Sequence, residues 1–138
     1  MIACADREKK EQKDWNRALR ETKGDEGRLV SSFWYEAELQ DSDCSGKALC
    51  FLQFENCSLQ NMNFGKADLI GARFRNCTLK TCDFRGAILR QTIFEDCKWD
   101  QCDFQGSDLT ECIFFEDDIP FLHLDADQLQ VILIDRRA

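Results

Sequence analysis

Large apolar residues recur at every fifth position through the middle of the chain, and polar residues fill most positions between them. The run has no gap, and its members are Leu49, Phe54, Leu59, Phe64, Leu69, Phe74, Leu79, Phe84, Leu89, Phe94, Trp99, Phe104, Leu109 and Phe114. A helix needs an apolar period of about 3.6 residues, and a half-buried strand needs a period of two. A period of five fits neither, and it predicts a chain that runs briefly extended, turns a corner and repeats.

Each five-residue unit has a second inward position, two residues before the large one. Side chains of an extended segment alternate between its two faces, so these two positions share a face. The earlier position mostly holds a compact residue, as at Cys57, Ala67 and Cys77. The pair is therefore expected to face an interior, while the other three positions face solvent or turn the corner.

Four such sides close a square, which makes a coil of twenty residues. Residues twenty positions apart then stack in columns, and the columns hold like residues. The first wall stacks Leu49, Leu69, Leu89 and Leu109, the second Phe54, Phe74, Phe94 and Phe114, the third Leu59, Leu79 and Trp99, and the fourth Phe64, Phe84 and Phe104. We expect successive coils to pair through backbone hydrogen bonds about 4.8 Å apart, which predicts an all-β solenoid.

The five-residue unit resembles that of the pentapeptide-repeat family, Ala-(Asp/Asn)-Leu-X-X. Ala67-Asp68-Leu69-Ile70-Gly71 matches it throughout, and the units Ser107-Asp108-Leu109-Thr110-Glu111 and Cys102-Asp103-Phe104-Gln105-Gly106 match it nearly. The resemblance extends over residues 32–116, which is seventeen units. It implies a right-handed quadrilateral β-helix, here of about four coils, to which the flanking residues add an N-terminal α-helix and a short C-terminal cap.

The pattern divides the chain into a charged N-terminal helix and linker (1–28), the repeat (29–116) and a C-terminal cap or dimerisation segment (117–138). The pattern of residues 6–23 predicts a helix. Most of its residues are charged, and a thin apolar stripe includes Trp15 and Leu19. Two roles fit this helix. Its stripe can dock on the open end of the solenoid, or the helix can extend as an arm toward a partner.

The five-residue pattern fails near the C-terminus, where Pro120 removes a backbone donor. Asp125 is expected to cap a short helix together with Gln128, and residues 131–134 are a strand candidate. The open end of a β-helix exposes unpaired backbone. The tail can cover that end, or the ends of two copies can pair about a two-fold axis. Relatives of the family dimerise through their C-terminal ends, so the resemblance supports a homodimer as well.

Five apolar residues break the rule that outward positions are polar: Ile70, Ile88, Ile93, Ile113 and Phe115. The first two fall on the first wall and the others on the second, which predicts an apolar strip that is heaviest toward the C-terminal coils. A monomer rarely leaves such a strip bare. We expect it to be an interface. The chain's own tail is favoured over a second copy as its cover, because the tail is close in sequence and costs little loop-closure entropy.

The chain is acidic, with a net charge of −8 at pH 7 and an isoelectric point near 4.7. Residues 41–138 carry most of this charge, with 17 acidic and 10 basic side chains. Such a surface repels nucleic acid and anionic lipid and favours basic partners. No apolar run approaches the ~20 residues of a membrane span, and the charged residues 6–10 leave no room for a signal peptide. We therefore expect a cytoplasmic protein that binds neither nucleic acid nor membrane.

Most of the nine cysteines occupy the compact inward position. Cys57, Cys77 and Cys97 share one column, and Cys82 and Cys102 share another. Cysteine is expected to act there as a small hydrophobic residue in place of alanine, and free thiols indicate a reducing compartment. A zinc site needs clustered ligands at short spacing, which columns of twenty-residue spacing do not supply. The sequence therefore predicts free thiols and no metal or cofactor.

Residues that could carry catalysis are sparse. The single histidine, His123, lies between two leucines and is expected in the cap or on the surface. Asp83 and Asp103 stack in an outward column, but paired carboxylates need a pocket for acid–base work, and a convex wall offers none. The sequence contains no glycine-rich phosphate loop and none of the common metalloprotease or hydrolase motifs. It therefore favours a protein that is not an enzyme.

Two functions remain. The first is a non-enzymatic scaffold that binds a protein partner on the flat walls of the solenoid, and the sequence does not identify that partner. The second comes from the resemblance, because some quinolone-resistance members of the family are acidic, rod-shaped dimers that imitate DNA and bind in the saddle of a type II topoisomerase such as gyrase. This chain shares their repeat and the sign of their charge, but it has about half as many coils. The scaffold is the preferred interpretation.

Overall fold

Short parallel strands form two sheets in the computed structural model, which describes residues 9–22, 27 and 29–136. The second wall carries β1 (Phe33–Tyr35), β3 (Gln53–Glu55), β5 (Arg73–Arg75), β7 (Ile93–Glu95), β9 (Ile113–Phe115) and β10 (Leu133–Asp135), in that order. The third wall carries β2 (Glu38–Asp43), β4 (Ser58–Asn63), β6 (Thr78–Lys80) and β8 (Lys98–Asp100). Isolated parallel bridges, such as that between Asp83 and Asp103, connect the coils on the other two walls.

Paired strands are in a register of twenty residues. Phe54 lies opposite Phe74 on the second wall, and Leu79 lies opposite Trp99 on the third. Each coil therefore places its residues directly over their counterparts in the coil before. The all-β solenoid that the sequence predicts is confirmed, and the chain winds as a right-handed quadrilateral β-helix.

A left-handed backbone conformation turns every corner of the solenoid. From Ser31 to Glu111, each fifth residue has a φ between 52° and 73°. Glycine adopts this conformation freely, and asparagine and aspartate tolerate it. The same conformation is imposed on Thr81, where a β-branched side chain makes it costly. At Glu116 the corner is missing, because a 3-10 helix (Glu116–Phe121) begins there instead.

The large apolar residues of the repeat fill the interior of the coils. Thirteen of the fourteen are buried, and the exception, Trp99, is half-buried. Phenylalanine rings stack along each wall, as between Phe84 and Phe104, whose centroids are 4.9 Å apart and whose planes differ by 3°. Rings of the opposite second and fourth walls meet edge to face across the interior, as between Phe84 and Phe94 at 5.9 Å and 84°. Both arrangements are favourable for aromatic pairs, so the interior is one continuous ladder.

The N-terminal helix α1 (Gln12–Arg20) closes the first coil. It is shorter than the predicted helix over 6–23, parts of which lie outside the described residues. Trp15 is buried against Trp34, and Gln12 Oε1 accepts a hydrogen bond of 2.7 Å from the backbone nitrogen of Gln40. The helix therefore caps both the apolar interior and the backbone edge. Of the two roles that the sequence left open for this helix, the structure shows the docked one.

The C-terminal segment leaves the repeat and then rejoins it. After the 3-10 helix, Asp125 caps the short helix α2 (Ala126–Val131) through the predicted capping box with Gln128. Strand β10 then pairs with β9, and Leu133 lies opposite Ile113. The predicted strand at 131–134 thus begins two residues later, and the five-residue pattern does not end for good at residue 116.

Candidate interaction surface

One outward column of the second wall changes character along the solenoid axis. It begins with Phe33, continues with the polar Gln53 and Arg73, and ends with the apolar Ile93, Ile113 and Leu133. Ile93 and Ile113 are half-buried by their neighbours, whereas the Leu133 side chain is 48% exposed. We refer to these three residues as the apolar column. Its contiguity follows from the register, since each residue pairs directly with the next.

The tail extends the apolar column and does not cover it. β10 adds to the open edge of β9, and the backbone nitrogen of Leu133 donates to the Cys112 carbonyl at 2.8 Å. The expectation that the tail lies across the predicted strip is therefore wrong. The physical reason is that the edge of β9 presents unpaired backbone groups, and a strand in register satisfies them.

Charged residues interrupt the first-wall part of the predicted strip. Ile88 is 37% exposed, and its partners in the neighbouring coils are Asp68 and Asp108. Arg90 Nε donates to Asp108 Oδ2 at 2.6 Å, which places a guanidinium on the same wall. Ile70 is half-buried. The apolar surface is therefore concentrated on the second wall, where Phe115 is also half-buried and pairs with Asp135 of β10.

A ladder of alternating charge runs beside the apolar column. Arg75 lies between Glu55 and Glu95, with nitrogen–oxygen distances of 3.8 and 3.5 Å, and Arg73 contacts Glu95 at 3.3 Å. Exposed ion pairs of this kind contribute about 0–1 kcal/mol each, so their effect on stability is small. They do, however, set the electrostatic pattern of the wall, which is mixed in sign and not uniformly acidic.

The stacked carboxylates of Asp83 and Asp103 share one cation. Arg85 Nη2 contacts Asp83 Oδ2 at 2.8 Å, and its Nε lies 3.9 Å from Asp103 Oδ2. The hydrogen bonds from the Arg85 guanidinium lower the pKa of Asp83. A carboxylate held ionised in this way is a poor general acid at neutral pH, so the pair is better suited to presenting charge than to moving protons.

The fourth wall carries a shallow depression of about 470 Å³ that is open to solvent. It is lined by Ser45, Asn63, Gly65, Lys66, Asp83, Arg85 and Gly86. Apart from the two glycines, this lining consists of polar and charged side chains. Apolar lining with a few convergent polar groups is typical of small-molecule sites, and this face has the opposite character. His123, for which the sequence predicted a surface or cap position, is exposed.

The described cysteines are free thiols, and most are buried. Cys57, Cys77, Cys82 and Cys97 are buried in the interior as predicted, whereas Cys102 is only partly buried. Burial also raises the pKa of the Cys44 thiol to about 12, which keeps it protonated and unreactive. Within residues 9–22, 27 and 29–136, no three or more Cys, His, Asp or Glu side chains cluster so as to hold a metal ion. No helix of the same ranges has the length and apolar character needed to cross a membrane.

Solved structures of repeat proteins resemble the chain in fold. Trypsin-treated QnrB1 (R167E), a plasmid-mediated fluoroquinolone resistance protein, is 23% identical over 64% of this chain and 50% of its own, with a TM-score of 0.56. Full-length QnrB1 gives 21% identity over 63% and 51%, with the same TM-score of 0.56. HetL from the cyanobacterium Nostoc sp. strain PCC 7120 is 18% identical over 62% and 48%, with a TM-score of 0.38. The chain thus spans about half the length of these proteins.

The repeat also matches a family model. Residues 48–124 fit the model of the pentapeptide repeat region, which is more than half of the chain. A comparison with curated proteins gives no match. The coil register, the left-handed corner in every unit and the family match agree with one another. The chain belongs to the pentapeptide-repeat family.

Proposed function

We propose that the chain is a non-enzymatic scaffold that binds another protein through the C-terminal half of its second wall. The observation that carries this proposal is the apolar column, Ile93, Ile113 and Leu133, which lies on the surface beside a ladder of paired charges. Protein interfaces commonly combine an apolar centre with a polar rim. The second wall presents both an apolar centre and charged residues on one face. The charged residues can fix the orientation of a bound partner, which an apolar contact alone does not do.

The edge strand at the same end strengthens this proposal. β10 is the last strand of the second-wall sheet, and an edge strand invites pairing with a further strand. A second copy of the chain is the first occupant to test, because each copy carries the same edge and the same apolar column, as a two-fold interface requires. A different protein that offers a strand and an apolar face is the other candidate partner.

Lysine substitutions in one column test the proposal with a matched control. Ile93→Lys together with Ile113→Lys places two charges in the apolar column, whereas Gln53→Lys places one in the polar part of the same outward column. We expect the double variant to lose self-association in light scattering, or to lose a partner captured from cell extract by the wild type. The control should keep both. If the double variant matches the wild type in both assays, the second wall is not the binding surface.

A second candidate function, an acidic DNA mimic that binds a type II topoisomerase, has separate support. The outward column of the fourth wall holds Asp43, Asn63, Asp83 and Asp103, and the fold is similar to that of a fluoroquinolone resistance protein. Arg85 offsets part of this charge, since it contacts both Asp83 and Asp103. The shorter length of the chain also reduces the number of phosphate positions that it can imitate.

A gyrase supercoiling assay tests the mimic directly. The purified chain should inhibit supercoiling at micromolar concentration or below. Changing Asp83 and Asp103 to Lys should abolish that inhibition, while Arg85→Gln should strengthen it by freeing the two carboxylates. The Arg85 variant separates mimicry from unspecific aggregation, because it increases the negative charge at one defined position. Absence of inhibition at a large excess of protein eliminates this function and leaves the scaffold.

A further inference from the structure

Two stacked thiols on the fourth wall differ in their access to solvent. Cys82 is buried, with 1% of its surface exposed, whereas Cys102 is only partly buried. They occupy the same inward position one coil apart, since Asp83 and Asp103 beside them are paired. The backbone nitrogen of Asp103 donates to the Cys82 carbonyl at 3.2 Å. The chain therefore places one accessible thiol directly over one protected thiol.

The access to Cys102 has a structural cause. The coil that would cover the third wall is replaced by the 3-10 helix, Glu116–Phe121. Trp99, at the end of the third wall, is also half-buried, and its Nε1 donates to Asp118 Oδ2 at 3.3 Å. Trp99 and Cys102 thus belong to one incompletely covered corner of the last coil. The stacked thiols on the other side of that wall, Cys57 and Cys77, lie in earlier coils and are buried.

The two sulfurs are oriented alike. Cys82 Sγ donates to the Leu59 carbonyl at 3.6 Å, and Cys102 Sγ donates to the Leu79 carbonyl at 3.4 Å, one coil further on. Paired parallel strands lie about 4.8 Å apart, which is within the range of Cα separations of about 4.4–6.8 Å that disulfides span. Cys102 keeps part of its side chain open to solvent, whereas Cys82 is enclosed by the neighbouring coils. Cys102 is therefore the thiol that an oxidant reaches first.

We propose that Cys102 is a site of oxidation by peroxide and that Cys82 resolves the oxidised form as a disulfide between neighbouring coils. In the first step the Cys102 thiolate attacks one oxygen of hydrogen peroxide. The O–O bond breaks, sulfur is oxidised to a sulfenic acid, and the other oxygen leaves as hydroxide, which takes a proton to form water. In the second step the Cys82 sulfur attacks the sulfenic sulfur, the S–O bond breaks, and a second water forms with the thiol proton.

The Cys57 and Cys77 pair is an internal control for this chemistry. These thiols are stacked one coil apart like Cys82 and Cys102, but both are buried. Reaction with peroxide requires an accessible thiolate as well as a neighbouring thiol. The stacking geometry alone would oxidise the two pairs equally, whereas the proposal requires that the Cys82–Cys102 bridge form first.

Peptide mapping of the peroxide-treated full chain tests the proposal. The native protein is exposed to hydrogen peroxide, the remaining thiols are alkylated, and the chain is digested with trypsin. Trypsin cleaves after Lys80 and Arg85, so Cys82 is released in residues 81–85. We expect this peptide to be linked to the one that contains Cys102, with the loss of two hydrogens. A Cys57–Cys77 bridge that forms first, or sulfinic acid at Cys102 while Cys82 stays alkylated, would overturn the proposal.

Two variants separate the roles of the thiols. In Cys82→Ala, the sulfenic acid at Cys102 should persist and react with dimedone, because its resolving partner is gone. In Cys102→Ala, Cys82 should stay reduced, and Cys57→Ala should leave the bridge unchanged. If Cys82→Ala traps no sulfenic acid while circular dichroism shows a native fold, Cys102 is not the attacking thiol. If Cys82→Ala does not fold, the Cys102→Ala variant tests instead whether Cys102 is the attacking thiol. Cys82 should then stay reduced in peroxide, and its oxidation would contradict the proposal.

Discussion

The indole ring of Trp15 packs against that of Trp34, with the ring centroids 5.1 Å apart and the ring planes at 77°. Trp34 is the first member of the second-wall column, and Trp15 also contacts Phe54 in the next coil, at 5.5 Å. A residue of the N-terminal helix therefore continues the aromatic ladder beyond the coil that begins it. This contact decides how the open end of the solenoid is closed.

Trp15→Ala should destabilise the protein by ~3–5 kcal/mol, because it leaves a cavity over the first coil. Trp15 Nε1 is buried and has no hydrogen-bond partner within the described part of the chain. Trp15→Phe removes that unpaired donor and keeps an aromatic ring, so its cost should be about 1 kcal/mol or below. Urea unfolding of the two variants measures both effects. Equal losses in the two variants would show that the ring does not cap the ladder.

The middle of the ladder should be the most sensitive part of the chain. Phe84 is fully buried between Phe64 and Phe104, at centroid distances of 5.2 and 4.9 Å. Phe84→Ala should cost ~3–5 kcal/mol, as truncations of core phenylalanines do. Lys80 is exposed on β6, and Lys80→Ala should cost less than ~0.5 kcal/mol. Similar midpoints for the two variants in urea melts would contradict the assignment of inward and outward positions.

The corner residue Thr81 should tolerate replacement by glycine with a gain in stability. Its φ of 52° lies in the left-handed region, where a side chain with a Cβ costs about 1–2 kcal/mol. Glycine avoids this cost but loses more conformational entropy on folding, by about 0.5–1 kcal/mol. We therefore expect Thr81→Gly to stabilise the chain by up to ~1 kcal/mol in thermal melts.

Thr78→Gly is the matched control for the corner. Thr78 lies in strand β6 and is exposed, so glycine there gains nothing from the backbone and should destabilise by about 0.5–1 kcal/mol. The two threonines are three residues apart on the same wall, and the opposite signs isolate the effect of backbone conformation. Destabilisation of similar size in both variants would show that the corner does not strain Thr81.

The repeat could be predicted from the sequence because its period is fixed by backbone geometry. Every five-residue unit from Ser31 to Glu111 has one residue in a left-handed corner. The spacing of apolar residues therefore directly reflects the spacing of the corners, and with it the fold. The ends could not be predicted in the same way. The hydrogen bond from Gln40 to the Gln12 side chain joins residues 28 positions apart in sequence, and no periodic signal encodes it. The function depends on surface residues, which the period leaves free to vary.

The sequence does contain a signal for the position of strand β10. Ile132 and Ile134 lie twenty residues after Cys112 and Phe114, which is the register in which β10 pairs with β9. The intervening Pro120 and the break at Glu116 hide this agreement, because a 3-10 helix and a short α-helix replace two walls of the coil. A test of the twenty-residue phase across the break would have placed β10 beside β9 and shown that the tail extends the predicted strip.

Acidification should weaken the fourth wall through Asp83. The Arg85 guanidinium lowers the pKa of this carboxyl in the folded state, so the folded chain binds its proton less readily than the unfolded chain does. The resulting stabilisation is present above the unfolded pKa of about 3.9 and is lost as pH falls through the folded value. Arg85→Gln removes the guanidinium, so its free energy of unfolding should fall less steeply than that of the wild type below about pH 4.

Asp83→Asn provides the second arm of the pH experiment. It removes the titrating group itself, so it should flatten the acid dependence as Arg85→Gln does, and the double variant should show no further change. Urea unfolding at a series of pH values gives the slopes for all four proteins. Non-additivity of the two single changes identifies the pair as the source of the slope. If Arg85→Gln alone leaves the slope unaltered, the guanidinium does not hold the Asp83 carboxylate ionised, and the contact at 2.8 Å has no part in the response to acid.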